Sequence, residues 1–340
     1  MTRVGLILTG LGRVGASFFS LIEERAEEVR RRYGLDLRVM GASKSDGTFH
    51  SGSPLDWSEV FREGIPRTSG NPVWRPGLTP ESLFQTLEPG CLVECGPSDL
   101  ETGEPGLSLM SAALSNGWHV AAASKGALVV AYRKLMDLAS SRKRSLKFSG
   151  ATAAALPALD VGTVALAGTE IRAVEGILNG TTNFILTRMA EGISYEEGLR
   201  EAQSLGVAEP DPAQDVEGRD TASKILLLAN ACLGCDFHLD DVRVEGITGI
   251  TVADTRSAAK RGEALKLLGA CARSRPGGEW DIGVRVASLP ASHPLHHVHG
   301  TEKGITFTTD EMGTVTVTGG RSNPRGAAAA LLKDIINIYR

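Results

Sequence analysis

Three stretches of the chain carry residue types whose spacing could do chemistry. Gly10-Leu11-Gly12-Arg13-Val14-Gly15 is a glycine-rich turn. Its first glycine permits a tight turn, the second lets backbone approach a pyrophosphate, and the third lets a helix pack closely on the preceding strand. The N–H groups and positive dipole end of that helix then face the phosphates. The turn lacks the Gly-Lys-Ser/Thr of a P-loop, which disfavours a nucleoside triphosphatase. Gly176-Ile177-Leu178-Asn179-Gly180-Thr181-Thr182-Asn183 reads as a strand, a tight turn and a helix start rich in capping side chains. Its exposed N–H groups would suit a small carboxylate, with a capped helix and no ligand as the plainer alternative. Residues 206–220 place Glu209, Asp211, Asp215, Glu217 and Asp220 around Pro210 and Pro212, a rigid acidic loop suited to an ammonium group. Lys224 follows Asp220 by four residues on one helix face. The pair is either an exposed ion pair worth about 0.3–0.5 kcal/mol or a functional acid–base pair.

Positioning these groups takes a particular order of elements. Residues 4–9 form a short apolar β-rich run before the glycine turn. Residues 14–33 then place Phe18, Leu21, Ile22, Ala26 and Val29 at helical spacing, and residues 37–42 form a second strand. Strand, glycine turn, helix and strand make a βαβ unit. Strand-like runs at 91–95, 118–122 and 146–149 alternate with helical patterns at 107–116 and 132–142. Residues 1–149 therefore read as a Rossmann-like, doubly wound α/β nucleotide-binding domain. Residues 44–80 read as a long irregular excursion. The second strand ends Gly41-Ala42-Ser43-Lys44-Ser45, with no acid until Asp46. An acid there would bind the ribose 2′-hydroxyl of NAD, so Ser43 and Lys44 favour the 2′-phosphate of NADP; the alternative is that Lys44 is a solvated loop residue. From residue 150 the grammar changes, with helical stretches at 154–166, 181–191, 195–205 and 219–233. Strands follow at 264–272, 281–288, 304–309 and 314–318. Blocks of helices and strands predict an α+β domain over 150–318, followed by a closing segment at 319–340 with a helix over 326–339.

Composition narrows the class. The 340 residues are 42% hydrophobic and 22% charged, as in a soluble globular protein of about two domains. A net charge of −4 argues against nucleic acid as a partner. The longest apolar stretches, 151–167 and 225–235, are too short or are broken by Asp160, whereas a membrane span needs about 18 apolar residues in a row. The first residues flow into the glycine turn without a cleavage site, and five cysteines are too few and too odd in number for a disulfide framework. A cytoplasmic protein is expected. His293, His296, His297 and His299 have no Asp, Glu or Cys among them, and no metal site is assigned. Cys232-x-x-Cys235 has no second pair and reads as buried thiols.

GILNGTTNFIL followed by LGVAEPDPAQDVEGRDTASK resembles the homoserine dehydrogenases, and the likeness extends over nearly the whole chain. It takes in GLGRVG, SDLETGEPG, HVAAASKGAL, Leu156-Pro157, and Ser292-His293-Pro294 with Gly300. The resemblance implies a Rossmann domain for NAD(P), an α+β domain with substrate residues and a homodimer interface, and a last helix that returns to the first domain. It implies reversible reduction of L-aspartate 4-semialdehyde to L-homoserine, and with it a place in threonine and methionine biosynthesis. Carried over by position, Asn179, Thr181, Glu209, Asp215 and Asp220 would bind or orient substrate. Lys224 would be the proton donor, and Lys125 would sit between nicotinamide and substrate. Gly10, Leu11, Gly12, Arg13, Val14, Gly15, Ser43, Lys44, Gly96, Pro97, Lys125 and Gly206 would contact the cofactor. Either lysine suits the proton transfer if its surroundings tune it. The chain departs from the family pattern at Ser124, usually Asn, and at Ala153-Ala154-Ala155, usually Val-Gly-Gly-like. It departs again at Arg321-Ser322-Asn323, usually a glycine-rich turn. Gly150 replaces a glutamate that in the family helps to hold an alkali cation, so activity indifferent to sodium and potassium is expected. A relative acting on another hydroxy or aldehyde acid, and a dinucleotide sensor without turnover, are the alternatives. No regulatory domain is expected beyond the closing helix.

Overall fold

The computed structural model describes every residue except Pro276 and Arg321. The chain forms two compact units, Met1–Ala154 with Asn323–Arg340, and Ala155–Ser322.

In the first unit β1 (Thr2–Thr9) leads through the glycine turn into α1 (Arg13–Glu24). The helix expected over 14–33 is broken. Arg25 leaves helical geometry at φ −101° and ψ 3°, and α2 (Ala26–Tyr33) starts afresh. Glu27 and Glu28 lie in its first turn and Arg30–Arg32 in its last, so each end of the helix dipole meets the favourable charge. β2 (Leu35–Lys44) outruns the expected 37–42 because Lys44 pairs with Gly47 of β3 (Gly47–Phe49) across a two-residue turn. The stretch read as irregular then holds α3 (Trp57–Val60), a ribbon of β4 (Phe61–Arg62) and β5 (Ile65–Pro66), β6 (Trp74–Pro76) and α4 (Pro80–Thr86). Strands of two or three residues are too short to show an alternation. β7 (Cys91–Glu94), α5 (Gly106–Ser115), β8 (His119–Ala122), α6 (Gly126–Ser141) and β9 (Leu146–Lys147) complete the winding. The sheet order is β6-β3-β2-β1-β7-β8-β9, with β2, β1, β7, β8 and β9 parallel. Strand order reverses at β1, and in such sheets the ligand crevice opens beyond the strand ends at that point.

In the second unit the helix expected over 154–166 starts late, at Ala158, and runs to Ala165. Ala154 takes the left-handed φ of 52°, and Leu156 precedes a proline that disfavours helical geometry before it. α7 (Ala158–Asp160) runs on into a wider π-helical segment, Val161–Ala165. β10 (Ile171–Ile177), α8 (Gly180–Ala190), α9 (Tyr195–Ser204), α10 (Ala213–Val216) and α11 (Arg219–Leu233) follow. Then come β11 (Arg243–Val244), α12 (Val252–Lys260), β12 (Glu263–Arg273), β13 (Trp280–Pro290), β14 (Lys303–Thr309) and β15 (Thr314–Gly319). The sheet order β11-β13-β12-β10-β14-β15 is antiparallel apart from the β11–β13 pair. α11 lies close on this sheet at Gly269, where an added Cβ would sit 3.0 Å from both Thr221 and Ile225.

The last helix, α13 (Pro324–Tyr339), belongs to the first unit and puts Ala328, Leu331 and Ile335 into its core beside Leu8 and Phe18. Its Asp334, 1% exposed, accepts the backbone N–H of Ser149 at 2.9 Å and the Ser149 hydroxyl at 2.8 Å. The Lys333 ammonium lies 2.7 Å from the same hydroxyl oxygen.

Candidate cofactor cleft and catalytic cluster

The glycine turn carries out its three expected tasks. Gly10 has φ 79°, and a Cβ there would lie 2.3 Å from the Cys95 backbone; one on Gly15 would lie 2.1 Å from the Gly10 carbonyl. Gly12 alone of the three has open space where its side chain would be, the room a pyrophosphate needs. A cleft of about 980 Å³ lies here, lined by Gly10, Leu11, Gly12, Ser43, Lys44, Gly96 and Pro97 among others. The donor set and the cleft volume fit a dinucleotide. At the tip of the β2–β3 hairpin, Thr48 gives its proton to the Leu78 carbonyl at 2.7 Å, so Ser43 must donate to Thr48 at 2.8 Å. The Ser43 hydroxyl proton is thereby committed within the fold. Lys44 is exposed at the cleft and lies 3.8 Å from Asp46. Arg13 is exposed and Val14 half-buried at the start of α1. Lys125 precedes α6, and its backbone N–H donates to the Ser98 hydroxyl at 2.8 Å.

The second cluster is built on β10, α8 and α11 of the other unit. Asn179 ends the β10 turn as the N-cap of α8, and its Oδ1 accepts the Thr182 N–H at 2.9 Å. A Cβ on the next residue, Gly180, would meet the Thr301 carbonyl at 2.9 Å, so the chain passes there only with glycine. The Asn179 amide donates to Asp215 at 2.6 Å and to Asp220 at 2.8 Å. Lys224 donates to the same Asp220 oxygen at 2.5 Å and to the Leu178 carbonyl at 3.0 Å. The side chains of Asp220 and Lys224 are only 11% and 12% exposed. α11 is buried around most of its girth, from Thr221 through Asn230, which takes the pair off the surface and out of the class of weak exposed ion pairs. An acid in the first turn of α11 also meets the positive dipole end. The result is one ammonium held against two bridged carboxylates.

The remaining candidates are placed differently. Thr181 donates to the Val207 carbonyl at 3.1 Å and so fastens the loop that follows α9. Glu209 is exposed, and Gly206 is exposed at φ 69° where the chain leaves that helix. His293 accepts the Leu295 N–H at Nδ1, so Nε2 carries the proton that faces Glu175 at 3.0 Å; His296 contacts the Leu289 carbonyl. Cys235 and Cys271 are buried free thiols, and Cys232 is half-buried. Of the altered C-terminal turn, Arg321 lies outside the described residues. Among the buried ionisable groups that the sequence reading passed over are Glu94 and Lys266. Glu94, 0% exposed, ends β7 at the cleft. Lys266, 2% exposed, donates to Asn183 and to the Val298 carbonyl, and burial pulls its pKa down to about 8. A glutamate that closes an apolar parallel strand, as in Cys91-Leu92-Val93-Glu94, was a usable signal for the first.

Residues 10–149 match the family described as homoserine dehydrogenase, NAD binding domain, and residues 157–336 match the family described as homoserine dehydrogenase. The chain belongs to the homoserine dehydrogenase family. Homoserine dehydrogenase of Methanocaldococcus jannaschii is 33% identical over 98% of both chains. A protein of Pseudomonas canavaninivorans named NAD(+)-dependent homoserine dehydrogenase is 32% identical over 100% of this chain and 97% of its own. Among solved structures, a putative homoserine dehydrogenase from Archaeoglobus fulgidus superposes with a TM-score of 0.87 at 30% identity and covers 99% of each chain. The α/β plus α+β homoserine dehydrogenase fold and an NAD(P)-dependent oxidoreductase class follow from membership. Among the described residues no helix is long and apolar enough to cross a membrane.

Proposed function

We propose that this homoserine dehydrogenase family member interconverts L-homoserine and L-aspartate 4-semialdehyde, with NADP as the preferred dinucleotide. The observation that carries the reading is the Asp220–Lys224 pair, largely buried and bridged through Asn179 to Asp215. A carboxylate array beside a lysine suits a substrate that presents an ammonium at one end and a reacting hydroxyl at the other. In the oxidative direction the neutral Lys224 amine takes the hydroxyl proton; in the reductive direction the ammonium returns it to the forming alkoxide. Asp215 and Asp220 hold the substrate ammonium, and Glu209 orients it from the loop. Bound on the Gly10–Gly15 turn, the dinucleotide supplies the hydride acceptor or donor.

The cofactor preference rests on Lys44, because the Ser43 proton is already spent on Thr48. Reduction of NADP and of NAD with L-homoserine at alkaline pH tests both assignments together, with other 4-hydroxy acids run beside it. Turnover of another acid but not homoserine would move the protein to a different substrate. Lys44→Ala should raise KM for NADP several-fold more than KM for NAD; equal changes would remove the basis for NADP. We also infer a homodimer in a reducing, cytoplasmic setting, supported by free cysteines and by the half-exposed face of the second sheet that carries Ala173, Ala270, Ala272 and Thr316. A monomer in sedimentation at micromolar concentration would contradict the dimer.

A further inference from the structure

Glu94 lies at the C-terminal end of β7, level with Thr9 of β1 and Ala122 of β8, where the crevice opens. One carboxylate oxygen accepts the Gly96 N–H at 2.7 Å, and the other is bonded to the Ser124 hydroxyl. The Ser124 N–H also acts on it, and burial pushes its pKa up. Burying a carboxyl is costly unless donors converge on it, as they do here. Space around it is equally specific, since a Cβ on Gly96 would lie 2.6 Å from Glu94 Oε1. The donors come from two different loops, Gly96 from the one after β7 and Ser124 from the one after β8. A second tie joins the same loops, from the Lys125 N–H to the Ser98 hydroxyl. A dinucleotide whose 2′-end lies at Lys44 and whose pyrophosphate lies at Gly12 must carry its nicotinamide half past β1 toward these loops.

We propose that Glu94 is a positioning residue that locks the loops at Gly96 and at Ser124–Lys125 into the arrangement that receives the nicotinamide half of the cofactor. The proposal rests on the cofactor reading of the cleft. Ser124 hydrogen-bonds directly to the buried carboxyl, which ties the departure from the family's Asn at this position to the Glu94 network.

The test compares ligands that do and do not contain nicotinamide, by calorimetry on the full chain. NADPH and NADH are titrated beside ADP-ribose with and without its 2′-phosphate, into the wild-type protein, Glu94→Gln and Ser124→Ala. Glu94→Gln keeps the shape but turns one acceptor into a donor that faces existing donors. It should weaken the nicotinamide-bearing ligand by about tenfold or more while the matching fragment binds within about twofold of wild type, on the scale of a lost charge-assisted hydrogen bond. Ser124→Ala, which removes one donor and leaves the carboxyl in place, should give a smaller loss with the same selectivity. Equal losses for ligand and fragment, or no loss in either variant, would overturn the proposal. Should Glu94→Gln fail to fold, the Ser124→Ala comparison decides it alone. A wild-type protein that binds neither ligand nor fragment would instead overturn the cofactor reading itself.

Discussion

Lys224→Ala is expected to lower turnover of L-homoserine by roughly 10²–10⁴-fold, the usual scale for a positioned acid–base group. Its effect on folding should be far smaller. Asp220 keeps the Asn179 amide, and the apolar residues of α11 from Ile225 to Ala229 remain packed. The unfolding free energy should fall by about 1–3 kcal/mol, the cost of leaving one partner of a part-buried pair unsatisfied. Turnover and thermal unfolding measured on the same preparation separate the two effects. Near-normal turnover would return Asp220 and Lys224 to the standing of a structural ion pair.

Asn179→Asp is the second change with a large expected effect. The wild-type side chain has no spare bonding capacity: both amide protons go to Asp215 and Asp220, and Oδ1 serves the Thr182 N–H and hydroxyl. Aspartate caps a helix about as well as asparagine, so α8 should keep its start. The two donors between the acids are replaced by a third negative charge. More negative charge around Lys224 favours its ammonium, and homoserine oxidation needs the neutral amine. The pH of half-maximal kcat should therefore move upward, and kcat at pH 8 should fall at least about tenfold. An unmoved pH profile with lowered thermal stability would reduce Asn179 to a helix cap.

How much of this was legible depended on the length over which a pattern could accumulate. The glycine turn is six residues with three separate steric demands, and α11 is fifteen residues of helical period; both stand where the sequence places them. The break at Arg25 was hidden because an apolar stripe of the right spacing runs straight through it from Phe18 to Val29. The strands between residues 47 and 76 were hidden because pieces of two or three residues cannot alternate. The helix expected from residue 154 starts only at Ala158, after a left-handed backbone angle at Ala154, where the family likeness had pointed to glycine. In the catalytic cluster, residue types were readable and burial was not. A spacing of four says that Asp220 and Lys224 meet, but only the packing of α11 against β10 and β12 says that they meet away from water. Glu94 was visible as a letter, and its role depended on two loops far apart in the chain that converge on it.

α13 closes the first unit from the far end of the chain, with Asp334 gripping Ser149 across 185 positions of sequence. During synthesis, therefore, the nucleotide-binding half cannot finish when its own sheet has left the ribosome. It must wait, with the core face beside Leu8 and Phe18 unshielded, until residues 155–322 have been made and the last helix arrives. A chain cut after residue 322 would hold every residue of the second unit and an unfinished first one. Damage to the final helix would accordingly be felt in the core of the nucleotide-binding unit.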